Sequence, residues 1–247
     1  MTSVKISSYF TIHVIKMRSY RRIHIDNDLA SASKYIRGTT LNIGGGRKLG
    51  RFRAPESESI IHTVLDIDPS LNPDVTCDAH NLPIQTGTVD TVIASELLEH
   101  CANPNKVICE ISRVLKSGGT LILTVPFMVR LHRDPDDFYR FSDTKLKDML
   151  NPTFEIEHFK KQGLFFTVIA NSIRDPIINS KSQLRFLAYP MLPLLDAVRH
   201  LDSFDFVKSS RLLSAYTTGF FLVAKRRADS VQAGTTDESV NGGTCHA

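Results

Sequence analysis

Long apolar runs are missing from this sequence. No stretch of about 18 consecutive apolar residues occurs, so no membrane-spanning helix is expected. The segment SYFTIHVIKM (8–17) is interrupted by His13 and Lys16, and no small-residue cleavage site follows, so it does not read as a secretory signal. A strong excess of one charge is also missing. Thirty Lys and Arg stand against 26 Asp and Glu, a net charge of +4. The basic residues are dispersed outside the N-terminal region, with no basic stripe interleaved with aromatics, so a nucleic-acid partner is not expected. Cysteine is scarce: Cys77, Cys101, Cys109 and Cys245 form no CxxC pair. That excludes a zinc ribbon or a dense disulfide framework and favours reduced thiols in a cytoplasmic protein. No internal repeat is visible.

What is present is a chain of 247 residues, 42% hydrophobic and 23% charged, enough for a substantial core. From residue 39 short β-rich runs follow one another: TTLNI (39–43), IIHTVLDI (60–67), DVTCD (74–78) and DTVIAS (90–95). A helix then begins at Asn103, which can cap it, with Pro104 at its first position. Val107, Ile108, Ile111, Val114 and Leu115 fall on one face, and Gly118 or Gly119 is the expected stop. TLILTVPF (120–127) reads as a strand buried on both faces. Ser142 opens a second helix that Asn151-Pro152 stops. FEIEHF (154–159) alternates like an edge strand, and TTGFFLVAKR (217–226) reads as the last one. Strands alternating with helices imply an α/β fold with a mostly parallel sheet. The expected organisation is an N-terminal cap or partly disordered segment (1–38), a main domain (39–226) with a helical insertion at about 165–215, and a polar, disordered tail (227–247).

In such a sheet ligands sit beyond the carboxyl ends of the strands. The first strand ends in Gly44, Gly45 and Gly46, which let the backbone approach a ligand closely. Asp66 lies 20 residues after Gly46, at the end of the second strand, where an acidic group can accept hydrogen bonds from ribose hydroxyls. Asp78 closes the third strand and can accept from an adenine amino group. A nucleoside-containing cofactor is therefore expected. A dinucleotide is disfavoured, because RKLGRFRAPESES after the glycines is a poor helix and offers no helix start for a pyrophosphate.

The ordered set LNIGGG, VLDIDPS, CDAHNLPIQTGTVDTVIASELLEH and EISRVLKSGGTLILTVPF, across residues 39 to 127, resembles the class I S-adenosylmethionine-dependent methyltransferases, close to their type 11 group. The resemblance implies a Rossmann-like, seven-stranded, mostly parallel sheet with helices on both faces and an antiparallel last strand. It implies S-adenosylmethionine as cofactor. Gly44, Gly45 and Gly46 would face its methionine part, and Asn42 would belong to the same cofactor site. Asp66 and Ile67 would border the ribose, Asp78 and Ala79 the adenine, and Ser95 the side of the site. Two positions depart from the pattern. Asn42 stands where an acidic residue is usual, and Lys48 where a further glycine is common. Both point to weakened cofactor binding, and a non-catalytic cofactor-binding or scaffold protein is the alternative function.

Methyl transfer needs alignment and sometimes removal of a proton, so no universal catalytic residue is expected. His132, in LHRDPDDFYRFS (131–142) after the fifth strand, and His100, in ELLEH, are the candidate bases. The same acceptor loop offers Tyr139 and Arg140 as anchors, or else Phe138 and Phe141 as plugs for the core. Glu96, Glu99 and His100 are spaced to share a helical face and could hold a divalent metal. The tripeptide LEH is common in the type 11 group without one, so no metal is expected. The acceptor is expected to be a small molecule or biosynthetic intermediate. The apolar insertion leaves open a quinone- or lipid-type acceptor and peripheral membrane contact.

Overall fold

The computed structural model describes residues 18–45, 60–132, 136–183 and 185–228. Gly46 and Lys48, residues 1–17 of the expected N-terminal segment and the polar tail from residue 229 lie outside them. Seven strands form one sheet in the order β3-β2-β1-β4-β5-β7-β6. They are β1 (Gly38–Ile43), β2 (Ile60–Asp66), β3 (Val75–Thr76), β4 (Val89–Ser95), β5 (Leu115–Pro126), β6 (Phe154–Lys161) and β7 (Gly219–Arg226). The first five pair in parallel. The last strand runs the other way. Its two ends meet opposite ends of β6, through Gln162 N–H to the Gly219 carbonyl (2.8 Å) and Arg227 N–H to the Thr153 carbonyl (2.9 Å). An α/β sheet with an antiparallel β7 is what the family resemblance implied.

The core of the sheet unit follows from the sequence pattern. β4 and β5 are continuous apolar runs because helices cover both faces of a parallel sheet; Val92, Ile93, Leu121 and Ile122 are buried. Helix α2 (Pro104–Val114) lays Val107, Ile108, Ile111 and Val114 into this core. It begins as expected: Asn103 Oδ1 accepts from Lys106 N–H at 3.1 Å, with Pro104 first in the helix. Helix α3 (Asp143–Leu150) is capped by Ser142 in the same way. β6, at the sheet's edge, shows the alternating exposure its sequence suggested.

One boundary differs from expectation. α2 stops at Val114, not at Gly118 or Gly119, because Leu115 already pairs with Val89 in the sheet. The next registered pair is Thr91 with Thr120, so the extra residues of β5 bulge. Gly118, at φ +72°, takes the left-handed conformation inside that bulge.

The chain divides into two compact units. Residues 28–127, 131–160 and 220 onward carry the sheet core. The other unit comprises the described part of 1–27 with 128–130 and 161–219. Helix α1 (Tyr20–Ser31) starts in the second unit, which also holds α4 (Phe165–Asn179), α5 (Arg185–Ala188), α6 (Leu192–His200) and α7 (Asp205–Ser209). Its own small core joins Tyr20, Ala170, Leu192 and Leu195. The Arg174 and Arg199 guanidiniums lie 4.6 and 5.0 Å from the centre of the Tyr20 ring. Among the described residues no helix is long and apolar enough to cross a membrane. Cys77 and Cys101 are free thiols.

Candidate functional site

The parallel register decides which residues meet. Ile43 pairs with Leu65 on one side and Ala94 on the other. The residues that follow each strand therefore emerge level with one another at the carboxyl edge of the sheet. There a cavity of about 520 Å³ opens, lined by Ile43, Gly44, Asp66, Ile67, Asp78 and Ala79 among others. That volume is ordinary for a small-molecule or cofactor site.

Gly44 turns the chain at φ +71°, and its N–H donates to the Leu65 carbonyl at 2.8 Å. A Cβ there would be 3.0 Å from the Leu97 side chain. Gly45 is needed for another reason: a Cβ on it would lie 2.6 Å from the amide of Asn42. Asn42 is buried, and neither it nor Gly45 lines the cavity. So a side chain of its own strand approaches the second glycine. Gly46 lies outside the described residues.

Asp66 is buried at the end of β2 and accepts the N–H of Asp68 at 3.0 Å on Oδ1. Asp78 accepts twice from His80, from its backbone N–H at 2.9 Å and from ring Nδ1 at 2.6 Å. The ring's other nitrogen accepts the N–H of Asn103 at 3.2 Å, which fixes the proton on Nδ1. The His80 backbone N–H, more than any charge, holds the Asp78 carboxyl below its ordinary value. Cavity wall and α2 start are thus tied through one imidazole.

Ser95 is not among the lining residues; the next residue, Glu96, is. Glu96 has φ +55°, rare for a residue with a side chain, and its N–H bonds the Thr124 carbonyl at 3.0 Å. Thr124 Oγ1 donates to Glu96 Oε1 at 3.0 Å and so accepts the hydroxyl hydrogen of Ser95 at 2.9 Å. Ser95 acts one step back, holding the residue that faces the cavity. Sequence reasoning missed Glu96, Leu97 and Cys101 as cavity wall. Strand alternation predicts which side Ser95 takes, but nothing in the sequence announces a reversed φ at a glutamate.

Cys101 donates to the Leu97 carbonyl at 3.3 Å. Burial, then the negative charges of Glu99 and Asp78, push its thiol up to about 12. It is a neutral wall group, not a nucleophile.

The turn Leu98–His100 after β4 and the segment after β5 are stitched together. The Phe138 N–H donates to the Glu99 carbonyl at 2.8 Å, Tyr139 OH donates to the Ala102 carbonyl at 3.1 Å, and His100 Nδ1 bonds the Asp136 carbonyl. Arg140 grips Asp137 through both terminal nitrogens. Arg140 first, and then the backbone N–H of His132, hold the Asp137 carboxyl down at about 2. The result brings the two candidate bases together: the rings of His100 and His132 stand edge to face with centroids 5.1 Å apart. Phe141 plugs the core as its alternative role suggested, whereas Phe138 is half exposed.

A seven-stranded sheet with this order, a glycine turn after β1 and acidic residues closing β2 and β3 define the class I methyltransferase fold. The comparisons agree. The family model described as "Methyltransferase domain" matches residues 43–123. A chain from the complex between the Haloferax volcanii Trm112 methyltransferase activator and its methyltransferase superposes with TM-score 0.54 at 18% identity, covering 85% of this chain and 91% of that one. The [4+2]-cyclase SpnF superposes with TM-score 0.53 at 17% identity, over 85% and 81% of the two chains. A curated relative from Streptomyces fradiae, an uncharacterized 37.1 kDa protein in transposon TN4556, is 37% identical over 49 residues. That match spans 20% of this chain and 14% of the relative. The chain has the class I methyltransferase fold, and its segment 43–123 matches the methyltransferase-domain model.

Proposed function

We propose that the protein is an S-adenosylmethionine-dependent methyltransferase acting on a small-molecule acceptor. The observation that carries the reading is the convergence of Gly44, Asp66, Asp78 and Ala79 on one cavity at the carboxyl edge of the sheet. The residues present fit the cofactor. The reversed backbone at Gly44 leaves room for the amino-acid part, Asp66 offers Oδ2 to ribose hydroxyls with Ile67 beside it, and Asp78 with Ala79 meets the adenine. S-adenosylmethionine supplies an electrophilic methyl group on a sulfonium. The chain's own work is to hold the acceptor in line with it and to exclude water. His100, on the cavity wall, and His132, whose ring lies 5.1 Å from it, are the candidate bases for an acceptor proton, and Asp137 accepts the His132 backbone N–H at 2.8 Å.

Calorimetric titration of S-adenosylmethionine and S-adenosylhomocysteine into the wild type and Asp66→Ala tests this. Micromolar binding to the wild type, weakened at least about tenfold in the variant, is expected, since a bidentate ribose contact to a charged group contributes roughly 1.5–3 kcal/mol. A folded wild type that binds neither compound overturns the reading.

A second reading has an observation of its own. The usual acidic residue is Asn42 here, and its side chain packs on Gly45 instead of facing the cavity. That favours a weaker hold on the cofactor's ammonium and a cofactor-binding protein without methyl transfer. The fold permits it: SpnF, which shares it, is described as a [4+2]-cyclase. Cofactor binding with no turnover across quinone, lipid and small polar acceptors would favour this second reading.

A further inference from the structure

We propose that Glu99, His100 and His132 form a binding site for a divalent transition-metal ion beside the cavity, with His100 on its wall. The site does not depend on cofactor binding, because its ligands are not the cofactor-facing residues; where the ion is bound, His100 and His132 hold it and do not act as bases. The tertiary structure assembles it from two places. Glu99 and His100 belong to the turn after β4, and His132 follows β5. One ligand atom from each of the three lies within 4.8 Å of the others.

The protons of the site decide what it can hold. A carbonyl can only accept, so the bond between His100 Nδ1 and the Asp136 carbonyl places the ring proton on Nδ1. Nε2 of His100 then faces Glu99 Oε1, 3.7 Å away. Two ligands at about 2.0–2.2 Å from one tetrahedral ion are about 3.4 Å apart. The observed gap is close to that spacing, and the widest separation, at most 4.8 Å, exceeds it by about 1.4 Å.

The surroundings suit a cation. Glu99 is fully buried, and a buried carboxylate is costly without positive charge beside it. Glu96, Glu99 and Asp137 all act on the Arg140 guanidinium, so the surroundings are rich in carboxylate. The second shell is also of the usual kind: a ligating histidine donates its other N–H to a backbone carbonyl, here that of Asp136. His132 is steadied likewise, with Nδ1 3.5 Å from Asp137 Oδ2 and its backbone N–H bonded to the same atom.

Two imidazoles and one carboxylate select zinc, cobalt, manganese or ferrous iron over magnesium or calcium. Three protein ligands leave a coordination position open. His100 lines the cavity, so that position gives a place for an oxygen or nitrogen of a bound molecule. The ligand set differs from the one the sequence suggested. Glu96 gives its Oε1 to the Thr124 hydroxyl, and His132, 32 positions beyond His100, joins in its place.

The test uses the untagged full-length protein, stripped with chelator and free of S-adenosylmethionine. Zn²⁺ is titrated calorimetrically, and Co²⁺ is followed by its visible absorption, whose intensity reports coordination number. The wild type is expected to bind one ion, and to give an intense tetrahedral or five-coordinate cobalt spectrum. His132→Ala, at a partly exposed position that tolerates truncation, is expected to lose about tenfold or more in affinity and to change that spectrum. Glu99→Gln is expected to do the same if it folds, as judged by circular dichroism. A folded wild type that binds neither ion overturns the proposal, and so does an affinity and spectrum unchanged in His132→Ala. Because no cofactor is present, neither outcome depends on whether S-adenosylmethionine binds.

Discussion

Asp137→Asn isolates the charge that organises the segment after β5. The Asp137 carboxyl is almost wholly buried, with a side-chain exposure of 2%. It accepts from both terminal nitrogens of Arg140 and from the His132 N–H. These contacts lower its pKa from 3.8 to about 2. At about 1.4 kcal/mol per pH unit, ionised Asp137 contributes about 2 kcal/mol of folding stability. Because the folded-state value is the lower one, this contribution is complete above the unfolded value of 3.8. It is lost as pH falls from there towards 2, and about half remains near pH 3. Asparagine keeps the shape and one acceptor oxygen but removes the charge. Urea unfolding of both proteins at pH 7, 5 and 3 is the assay. The wild type should exceed the variant by about 2 kcal/mol at pH 7 and 5, with the gap roughly halved at pH 3. Parallel stability curves, with one constant gap from pH 7 to 3, would refute the assignment of this stability to the Asp137 charge.

Other expectations follow from the site and the core. Gly45→Ala brings a methyl group to 2.6 Å from the Asn42 amide and should cost about 1–3 kcal/mol; thermal unfolding should show the cost shrink in an Asn42→Ala background, and equal costs in the two backgrounds would contradict the contact. Cys101, with its thiol pushed up to about 12 from 9.0, should carry roughly a thousandfold less thiolate than an ordinary cysteine, so disulfide-exchange labelling of the native protein at pH 8 should leave it unmodified by mass spectrometry. Asn103→Ala removes the side-chain cap of α2 while keeping the backbone N–H that donates to His80, and calorimetry should find the protein about 1 kcal/mol less stable.

By itself the sequence determined most of the secondary structure of the sheet unit and the resemblance to class I methyltransferases. Continuous apolar runs specified β4 and β5, an asparagine-proline pair specified the start of α2, and alternation specified β6 as an edge. These are local signals, carried by side-chain periodicity and by the backbone preferences of single residues, so they survive without any knowledge of neighbours. The positions of Gly44, Asp66 and Asp78 were legible for the same reason, since a strand's end and the residue after it are properties of one segment. Tertiary structure decided the rest. Parallel register, set by contacts between segments remote in sequence, made those strand ends level and gave them a common cavity. Pairing of Leu115 with Val89 ended α2 earlier than its helical pattern did. The reversed backbone at Glu96, fastened to Thr124 on the neighbouring strand, put Glu96 and not Ser95 on the cavity wall. His132 met Glu99 and His100 only because backbone hydrogen bonds at Asp136 and Phe138 dock one loop on another. Such contacts depend on the distance between chain segments in space, a quantity that no periodicity in the sequence encodes.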